Sequence, residues 1–258
     1  MSELEFDETL EHGEVEIPSA LPVLPLKETV IFPQSVSPLA IGQERSVKLV
    51  DDVLEGERML ALVTVRNPDA DPPAWDDLYE VGTAAVVHKM IRVPDGTLRI
   101  LVQGIRRVRL ERRVLDEPYL LGEFVELPDV LHESKELEAL TRNVQGLFAR
   151  IIGIVPYLPE ELQLAAANVD DPSALCHLVA STLRLKTAEK QQLLEEASVE
   201  QRLREVSLIL NRELEESREV EALTRNVQSL FSRIIGLVPY LPEELSIAAA
   251  NVDDPSAL

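Results

Sequence analysis

The chain has 258 residues, of which 45% are hydrophobic, so it is long enough to bury a substantial core and does not have the composition of a disordered protein. Its 46 acidic and 25 basic side chains leave a formal charge of -21, which argues against nucleic acid and anionic membranes as main partners. A single cysteine excludes an internal disulfide, and there is neither a signal-peptide pattern nor a membrane-length apolar run, so we expect a cytoplasmic protein.

The first twenty residues are strongly acidic. They carry seven carboxylates and no Lys or Arg. Charge repulsion and a shortage of apolar groups predict a mobile tail over residues 1–20, for which a solubilising role is the simplest interpretation.

Residues 21–128 have the pattern of β-structure. The stretch from Leu21 to Gly42 reads LPVLPLKETVIFPQSVSPLAIG, and since proline cannot donate a hydrogen bond to a sheet, we expect its strands at edges, strand starts or bulges. Further strands rich in β-branched residues are predicted over 59–65, 83–93, 97–103 and 119–127. One short helix is predicted over 46–54, and Asp95-Gly96 predicts a hairpin turn.

After Pro128 the apolar period changes from two to 3.6, which predicts helices. The apolar stripe of the first of these comprises Leu137, Leu140, Val144, Leu147, Phe148, Ile151 and Ile152. Asp171 followed by Pro172 predicts the N-cap and first turn of a later helix, and Thr187 begins another. We therefore predict a helical bundle over 129–198 and the start of a long helix over 199–215.

Two of these segments carry a resemblance to a known family. The stretch from Leu21 to Gly42 and the helix around QRLREVSLILNRELE, which begins at Gln201, resemble the N-terminal region of Lon, the bacterial ATP-dependent serine protease. The resemblance covers residues 21 to about 215 and implies an α+β fold, in which a small PUA-like N-terminal β-barrel precedes a helical bundle with a long helix. In that family the region binds unfolded or damaged proteins, belongs to a homo-oligomer, and precedes an ATPase and a Ser-Lys peptidase.

The end of the chain repeats an earlier segment. Residues 133–175 recur as 216–258, with 36 of 43 positions identical. Two copies do not make a solenoid. At about 100° per residue, the apolar stripe of 199–214 and that of 223–234 point in different directions, so we expect the stripe to slip at the start of the repeat. The sequence departs from the Lon pattern at about Glu216.

The search for catalytic, cofactor and metal residues is nearly empty. None of the six lysines follows a glycine, so the chain has no P-loop. Ser173 lies in a sequence, Asp170 to Leu175, that is superficially similar to the serine motif of the Lon peptidase, but it lacks the flanking glycines and fits a helix start better. The four histidines have no metal-binding spacing. Cys176 beside His177 fits a buried thiol next to a histidine at the rim of the fold better than a catalytic pair. We therefore predict no catalytic residue, no cofactor and no metal.

A basic cluster in the β-rich region raises the possibility of RNA binding. It comprises Arg106, Arg107, Arg109, Arg112 and Arg113. No aromatic side chain alternates with these arginines to stack on bases, so solvated strand residues paired with carboxylates are the simpler interpretation.

Substrate recognition requires exposed apolar groups on a stable scaffold. The candidates from the sequence are Phe32, Val36, Met90, Tyr119, Tyr157 and Leu158, although each of them could instead be a core residue. The resulting prediction is non-catalytic recognition of unfolded or damaged proteins. The alternatives are a freestanding fragment that regulates intact Lon and, more remotely, a PUA-like RNA-binding module.

Overall fold

The computed structural model describes residues 16–94, 97–155 and 157–237. These residues form a mixed α+β fold. No helix within the described ranges combines the length and the apolar character needed to cross a membrane.

The described part of the chain contains six strands and six α-helices, together with a short 3-10 helix at Trp75–Asp77. The strands are β1 (Ala20–Leu26), β2 (Val36–Ile41), β3 (Met59–Thr64), β4 (Val81–Arg92), β5 (Leu98–Leu115) and β6 (Leu121–Glu126). The helices are α1 (Glu44–Glu55), α2 (Lys135–Ile152), α3 (Glu161–Ala167), α4 (Pro172–Thr182), α5 (Thr187–Glu195) and α6 (Val199–Leu237).

The strands form one sheet in the order β2-β5-β4-β3-β1-β6. Only β1 and β3 are parallel neighbours, and the other pairs are antiparallel. Strand β6 also pairs with the distal half of β5, so β1, β3, β4, β5 and β6 form a closed cycle of pairings. Strand β2 lies outside this cycle and pairs with the first third of β5.

Strand β5 is far longer than predicted. The sequence pattern indicated a strand over 97–103, whereas β5 continues to Leu115 through the arginine cluster. Its register shifts opposite β6, between Leu110 and Arg112 and again between Arg113 and Leu115, allow the strand to follow the curvature of the sheet. The predicted hairpin between β4 and β5 is confirmed by the Arg92–Leu98 pairing, while Asp95 and Gly96 lie outside the described residues.

The two faces of β3 lie in different apolar clusters, which explains why all six of its residues are buried. One face packs with the buried side of α1, in a cluster that includes Leu60, Leu62, Leu49, Val50 and Val53. The other face packs with aromatic side chains, in a cluster that includes Met59, Ala61, Val63, Trp75 and Phe124. Residues 17–20, predicted as part of a mobile tail, belong to this fold, since Ile17 packs on the second cluster and Ser19 accepts a backbone hydrogen bond from Phe124.

The chain folds as two compact units. Among the described residues, the first comprises those from 16 to 133 together with 170–202, and therefore contains the whole sheet, α1, α4, α5 and the start of α6. The second comprises those from 134 to 169 and from 203 to 237, with α2, α3 and the rest of α6. The helices predicted as one bundle over 129–198 are thus divided between the two units.

Within the second unit, α2 is held by polar contacts to its neighbours. Its N-cap Ser134 accepts a hydrogen bond from the Leu137 amide at 3.0 Å. The Gln145 side chain donates to the Ala166 carbonyl of α3 at 3.2 Å, and the Asn143 amide donates to Ser207 of α6 at 2.9 Å. Within the first unit, the predicted helix start is confirmed, because Asp171 caps α4 by accepting from the Ser173 amide at 3.0 Å.

A glycine in β5 gives a first prediction, that Gly104→Ala lowers the free energy of unfolding by about 1–3 kcal/mol. A Cβ at this position would lie 2.2 Å from the Phe32 carbonyl oxygen, and backbone cannot move aside cheaply. Gly146→Ala in α2 is the matched control: its Cβ would meet nothing within 4 Å, so we expect a gain of about 0.5–1 kcal/mol from helix propensity. Urea unfolding of both variants measures the difference, and equal stability of the two would contradict the close approach.

Candidate functional site

A groove of about 390 Å³ lies between the distal half of β1 and strand β2. Its lining is largely apolar and includes Leu24, Pro25, Leu26, Pro38, Leu39, Ala40 and Pro73. Lys27 and Gln43 also line it, and both bind Asp71, the lysine at a nitrogen–oxygen distance of 3.8 Å. We call this feature the β2 groove.

Each strand that lines the β2 groove carries a proline on its free side. The Val23 amide donates to the carbonyl of Leu120, which directly precedes β6. Backbone groups of alternate residues in a strand point to the same side, so the backbone nitrogen of Pro25 also points toward the β6 side. Pro25 lies beyond Pro22, the last residue of β1 that pairs with β6. The Ser35 carbonyl accepts a hydrogen bond from the Gly104 amide of β5, so the same alternation points the backbone nitrogen of Pro38 away from β5. The expectation of an edge strand is met by β2, which pairs with β5 alone, but not by β1, which pairs with both β3 and β6. The groove is therefore poorly suited to adding a further strand and better suited to contact through side chains.

Strands β2, β5 and β4 present an outward apolar surface next to this groove. Pro38 lies opposite Leu101, and Ala40 and Ile91 both lie opposite Arg99. Side chains directly opposite each other on neighbouring strands share a face, as do alternate residues of one strand, which adds Val36 to the set. We define the outer face by its apolar members, Val36, Pro38, Ala40, Ile91 and Leu101. Val36 is 51% exposed and Ile91 is 64% exposed, and two cations, Lys89 and Arg99, border them.

Only one of the six candidate residues from the sequence lies on this outer face. Val36 does, whereas the expected exposure of Phe32 and Leu158 is wrong, since both side chains are buried, Phe32 in the first unit and Leu158 in the second. Met90 lies opposite Ile100 and packs inward, because it belongs to the opposite face of β4 from Ile91. Tyr157 is partly buried in the second unit.

Tyr119 is a partly buried residue that packs on the cluster beneath α1. Burial, together with a hydrogen bond to Asp52, raises the pKa of its hydroxyl, so Tyr119 is a neutral donor at neutral pH. It does not line the β2 groove.

Four residues of the outer face were not among the candidates from the sequence: Pro38, Ala40, Ile91 and Leu101. An alternation of two over residues 36–40 was present in the sequence, and it would have grouped Pro38 and Ala40 with Val36. The positions opposite them on β5 and β4 depend on strand register, which the sequence alone does not fix.

Most of the arginine cluster is paired with carboxylates, as expected. Arg106 pairs with Glu126, Arg112 with Glu123 and Arg113 with Asp76. All three arginines are exposed, and such pairs contribute little to stability. Arg107 differs from the expectation of a solvated side chain, because it is buried.

Arg107 and Arg202, which are both buried in the first unit, share the carboxylate of Asp129, whose side chain is 31% exposed. The Oδ1 atom of Asp129 accepts from Arg107 at 2.5 Å and from Arg202 at 2.8 Å. Arg107 also donates to the backbone carbonyls of Leu194 and Glu196, at 2.9 and 2.8 Å. Burial and the charge of Arg202 lower the pKa of Arg107 to about 10, so the guanidinium remains charged at neutral pH. These bonds join β5 to the ends of α5 and the start of α6.

Ser173 and His177 of α4 complete this buried network. The Ser173 hydroxyl donates to Asp129 Oδ2 and accepts from Arg202 at 2.9 Å. Arg202 also donates to Nε2 of His177 at 3.2 Å, which assigns the ring proton to Nδ1. Burial and the positive charge of Arg202 lower the pKa of His177 to about 3. The expectation of a rim histidine is wrong, since His177 is buried and its ring centroid lies 5.9 Å from that of Phe32.

The network contains the groups that a catalytic site uses, but not in a working arrangement. Burial raises the pKa of the Cys176 thiol to about 12, so it stays protonated and unreactive. Ser173 donates its proton to a carboxylate that is already held by two arginines, and the serine is itself buried. Among the described residues, no three His, Cys, Asp or Glu side chains are close enough to hold a metal ion. We therefore assign this cluster a structural role.

Comparison with known proteins identifies the family. The family model described as the ATP-dependent protease La (LON) substrate-binding domain matches residues 20–212. The Lon protease of Dictyoglomus thermophilum is 37% identical over 215 residues, covering 83% of this chain and 26% of the relative. The Lon protease of Koribacter versatilis is 38% identical over 211 residues, covering 81% and 25%. The chain thus spans about a quarter of the length of these curated relatives.

Two solved structures share the fold. The N-terminal domain of Mycobacterium avium complex Lon protease matches with a TM-score of 0.63 at 24% identity, over 74% of this chain and 98% of that one. A Lon N-terminal domain protein from Xanthomonas campestris matches with a TM-score of 0.53 at 21% identity, over 73% and 97%. Since the family model spans most of the described residues and includes both the β2 groove and the buried network, this chain belongs to the Lon substrate-binding domain family.

Proposed function

We propose that this chain recognises unfolded or damaged proteins, without catalysis of its own, as the N-terminal part of a cytoplasmic ATP-dependent Lon protease. The single observation that carries the proposal is the apolar outer face beside the β2 groove, on a chain of the Lon substrate-binding family. Apolar side chains that are normally buried become accessible when a protein unfolds, so an exposed apolar surface selects for that state. The partners implied are such substrates and further Lon subunits.

The chemistry of the outer face suggests which segments it takes. Val36 and Ile91 offer apolar contact, while Lys89 and Arg99 add positive charge to a chain with a formal charge of -21. Pro25 and Pro38 disfavour backbone pairing with the bound segment. Segments that combine apolar side chains with a carboxylate therefore fit better than basic ones, and binding depends on side chains rather than on strand addition.

The sheet of the first unit supports a finer description of the fold. We propose that the cycle of five paired strands within residues 21–128 is a small PUA-like barrel. Residues 199–215 would begin the long helix and 216–258 would be an appended repeat. The support is that β6 pairs with both β1 and β5, which leaves no open edge within the cycle.

Two alternatives make different predictions. An RNA-binding module would need free basic side chains, whereas three arginines of the cluster are paired with acids and Arg107 is buried. A freestanding regulatory fragment would alter casein degradation when added to an intact Lon protease, and a recognition region separated from its ATPase would not.

The binding experiment uses fluorescently labelled casein, an unfolded protein, and the full chain. We expect Val36→Glu/Ile91→Glu to weaken binding about tenfold, which corresponds to about 1.4 kcal/mol, because both apolar contacts are replaced by charge. Val114→Glu is the matched control, since Val114 is an exposed apolar residue near the far end of β5. Fluorescence anisotropy measures both affinities. An unchanged affinity in the double variant, or an equal loss in the control, would exclude the outer face as the binding surface.

A further inference from the structure

The distal part of α6 has an exposed apolar face. Val220, Leu223 and Leu230 are 51%, 58% and 55% exposed, although the proximal part of the same helix buries Leu210 and Leu214. The predicted slip of the apolar stripe is therefore matched by a change from buried to exposed side chains along one continuous helix.

Nearly the same amino acids are buried in the first copy of the repeat. Leu137, Val144 and Leu147 of α2 correspond to Val220, Val227 and Leu230 of α6, at an offset of 83 residues. All three side chains of α2 are buried, whereas Val220 and Leu230 are exposed. The second copy thus carries apolar residues of the kind that are buried in α2, and at Val220 and Leu230 these residues are exposed in α6.

The second copy also has the pattern of a two-stranded coiled coil. Six of its apolar residues recur at intervals of three and four, with β-branched residues at the first heptad position (a) and leucine at the fourth (d), whereas Phe231 and Ile235 lie outside this repeat. The a positions are Val220, Val227 and Ile234, and the d positions are Leu223, Leu230 and Leu237. Valine or isoleucine at a with leucine at d favours parallel dimers over larger assemblies.

The differences between the two copies point the same way. Of the seven substitutions, two fall on this heptad: Leu137 becomes Val220 at an a position, and Ile154 becomes Leu237 at a d position. The first change places a β-branched residue at a, and the second places a leucine at d, as parallel dimers prefer. The second copy therefore fits a dimer seam better than the first copy does.

Local charge favours contact between two identical segments. Residues 217–237 contain three arginines and two glutamates, which gives a charge of +1 in a chain whose formal charge is -21. Two copies of this segment therefore repel each other little where they touch. The negative charges of the rest of the chain lie farther from the contact, where salt screens their repulsion.

We propose that residues 220–237 of α6 pair with the same residues of a second copy of this chain as a short parallel coiled coil. The proposal goes beyond substrate recognition and does not depend on it. It assigns the exposed face of the repeat to self-association.

The first test changes the seam in the full chain. We expect the unaltered protein to sediment as a concentration-dependent dimer and Leu223→Glu/Leu230→Glu to sediment as a monomer, because the variant places charges at two d positions. Leu208→Glu is the matched control and should remain dimeric, since Leu208 is 71% exposed on the same helix but lies before the heptad. Equal far-UV circular dichroism shows that the helices are retained. A monomeric unaltered chain, or a dimer that persists in the double variant, would overturn the proposal.

The second test fixes the orientation of the helices. Cysteine at a d position faces its own counterpart only in a parallel pair, so Leu230→Cys should form a disulfide-linked dimer on mild oxidation. Ser229→Cys points away from the seam and should cross-link far less, and the native Cys176 is buried. An antiparallel pair, or exchange of the second repeat for α2 in another molecule, would leave Leu230→Cys without a cross-link, and either result would refute the parallel seam.

Discussion

The Asp129→Asn variant is expected to lose about 2–4 kcal/mol of its free energy of unfolding, because Arg107 and Arg202 are buried although the Asp129 side chain is 31% exposed. Asp129 bonds to both buried arginines, Arg107 and Arg202. Asparagine is nearly the same size and keeps one acceptor oxygen, but it carries no charge, so both guanidinium groups lose their counter-charge in a buried site. Urea unfolding at neutral pH measures the loss.

Asp76→Asn is the matched control for this change. Asp76 also pairs with an arginine, Arg113, but its side chain is 87% exposed, so we expect a loss of less than about 1 kcal/mol. If Asp129→Asn were no more destabilising than Asp76→Asn, the buried charges would be compensated in some other way, and the structural role assigned to the network would be wrong.

The pKa of Asp129 determines how the destabilisation by Asp129→Asn varies with pH. Burial alone would raise it, but hydrogen bonds from Ser173 and Arg202 and the charges of both arginines outweigh burial and hold the pKa below its ordinary value. A carboxyl group with a lowered pKa stabilises the fold fully above its unfolded-state pKa and loses that contribution as the pH falls through the folded value. The difference between the unaltered protein and Asp129→Asn should therefore shrink in acid.

The regular elements of the fold were largely predictable because they depend on local patterns. The 3.6-residue period placed α2, and the Asp171-Pro172 pair placed the start of α4, since N-capping and a fixed proline φ act within one turn. The strands at β3 and β4 followed from their β-branched residues. Only β5 was seriously underestimated, because its distal half is rich in arginine and its strand conformation is imposed by pairing with β6.

The buried network could not be predicted from local sequence. Arginine and histidine are mostly exposed, so Arg107 and His177 were interpreted as surface residues. Their burial depends on Asp129 and Arg202, which are distant along the chain and are brought together only by the packing of α4 and α6 on the sheet. Such a network carries no periodic signal, and the pattern of single residues gives no indication of it.

The candidate binding surface was only partly predictable, for a different reason. Val36 and Phe32 were both candidates as apolar residues of the β-rich region, yet Val36 is exposed and Phe32 is buried. Whether a residue faces the core or the solvent depends on strand register, and a shift of one residue reverses the assignment. The two copies of the repeat give the same lesson for helices, since nearly the same sequence is buried in α2 and exposed in α6.

His177 is expected to make the free energy of unfolding depend strongly on pH. We expect the free energy of unfolding to fall by about 2 kcal/mol between pH 6 and pH 4.5 through this residue alone. The pKa of His177 is about 3 in the folded protein, whereas an unfolded histidine has a pKa of about 6.5. Between these values the unfolded state binds a proton that the folded state does not, so stability decreases as the pH falls, by up to about 1.4 kcal/mol per pH unit.

The measurement compares urea unfolding of the unaltered protein with that of His177→Gln across this range. Glutamine retains an oxygen that can accept from Arg202 and cannot be protonated, so the variant should show a shallower decline by about the amount given above, whatever its stability at neutral pH. Asp129 and other carboxylates contribute equally to both proteins, and the difference therefore isolates the histidine. His132→Gln, at an exposed histidine, should keep the dependence of the unaltered protein. Parallel curves for the unaltered protein and His177→Gln would mean that His177 is protonated within the folded network, and that Arg202 does not donate to it.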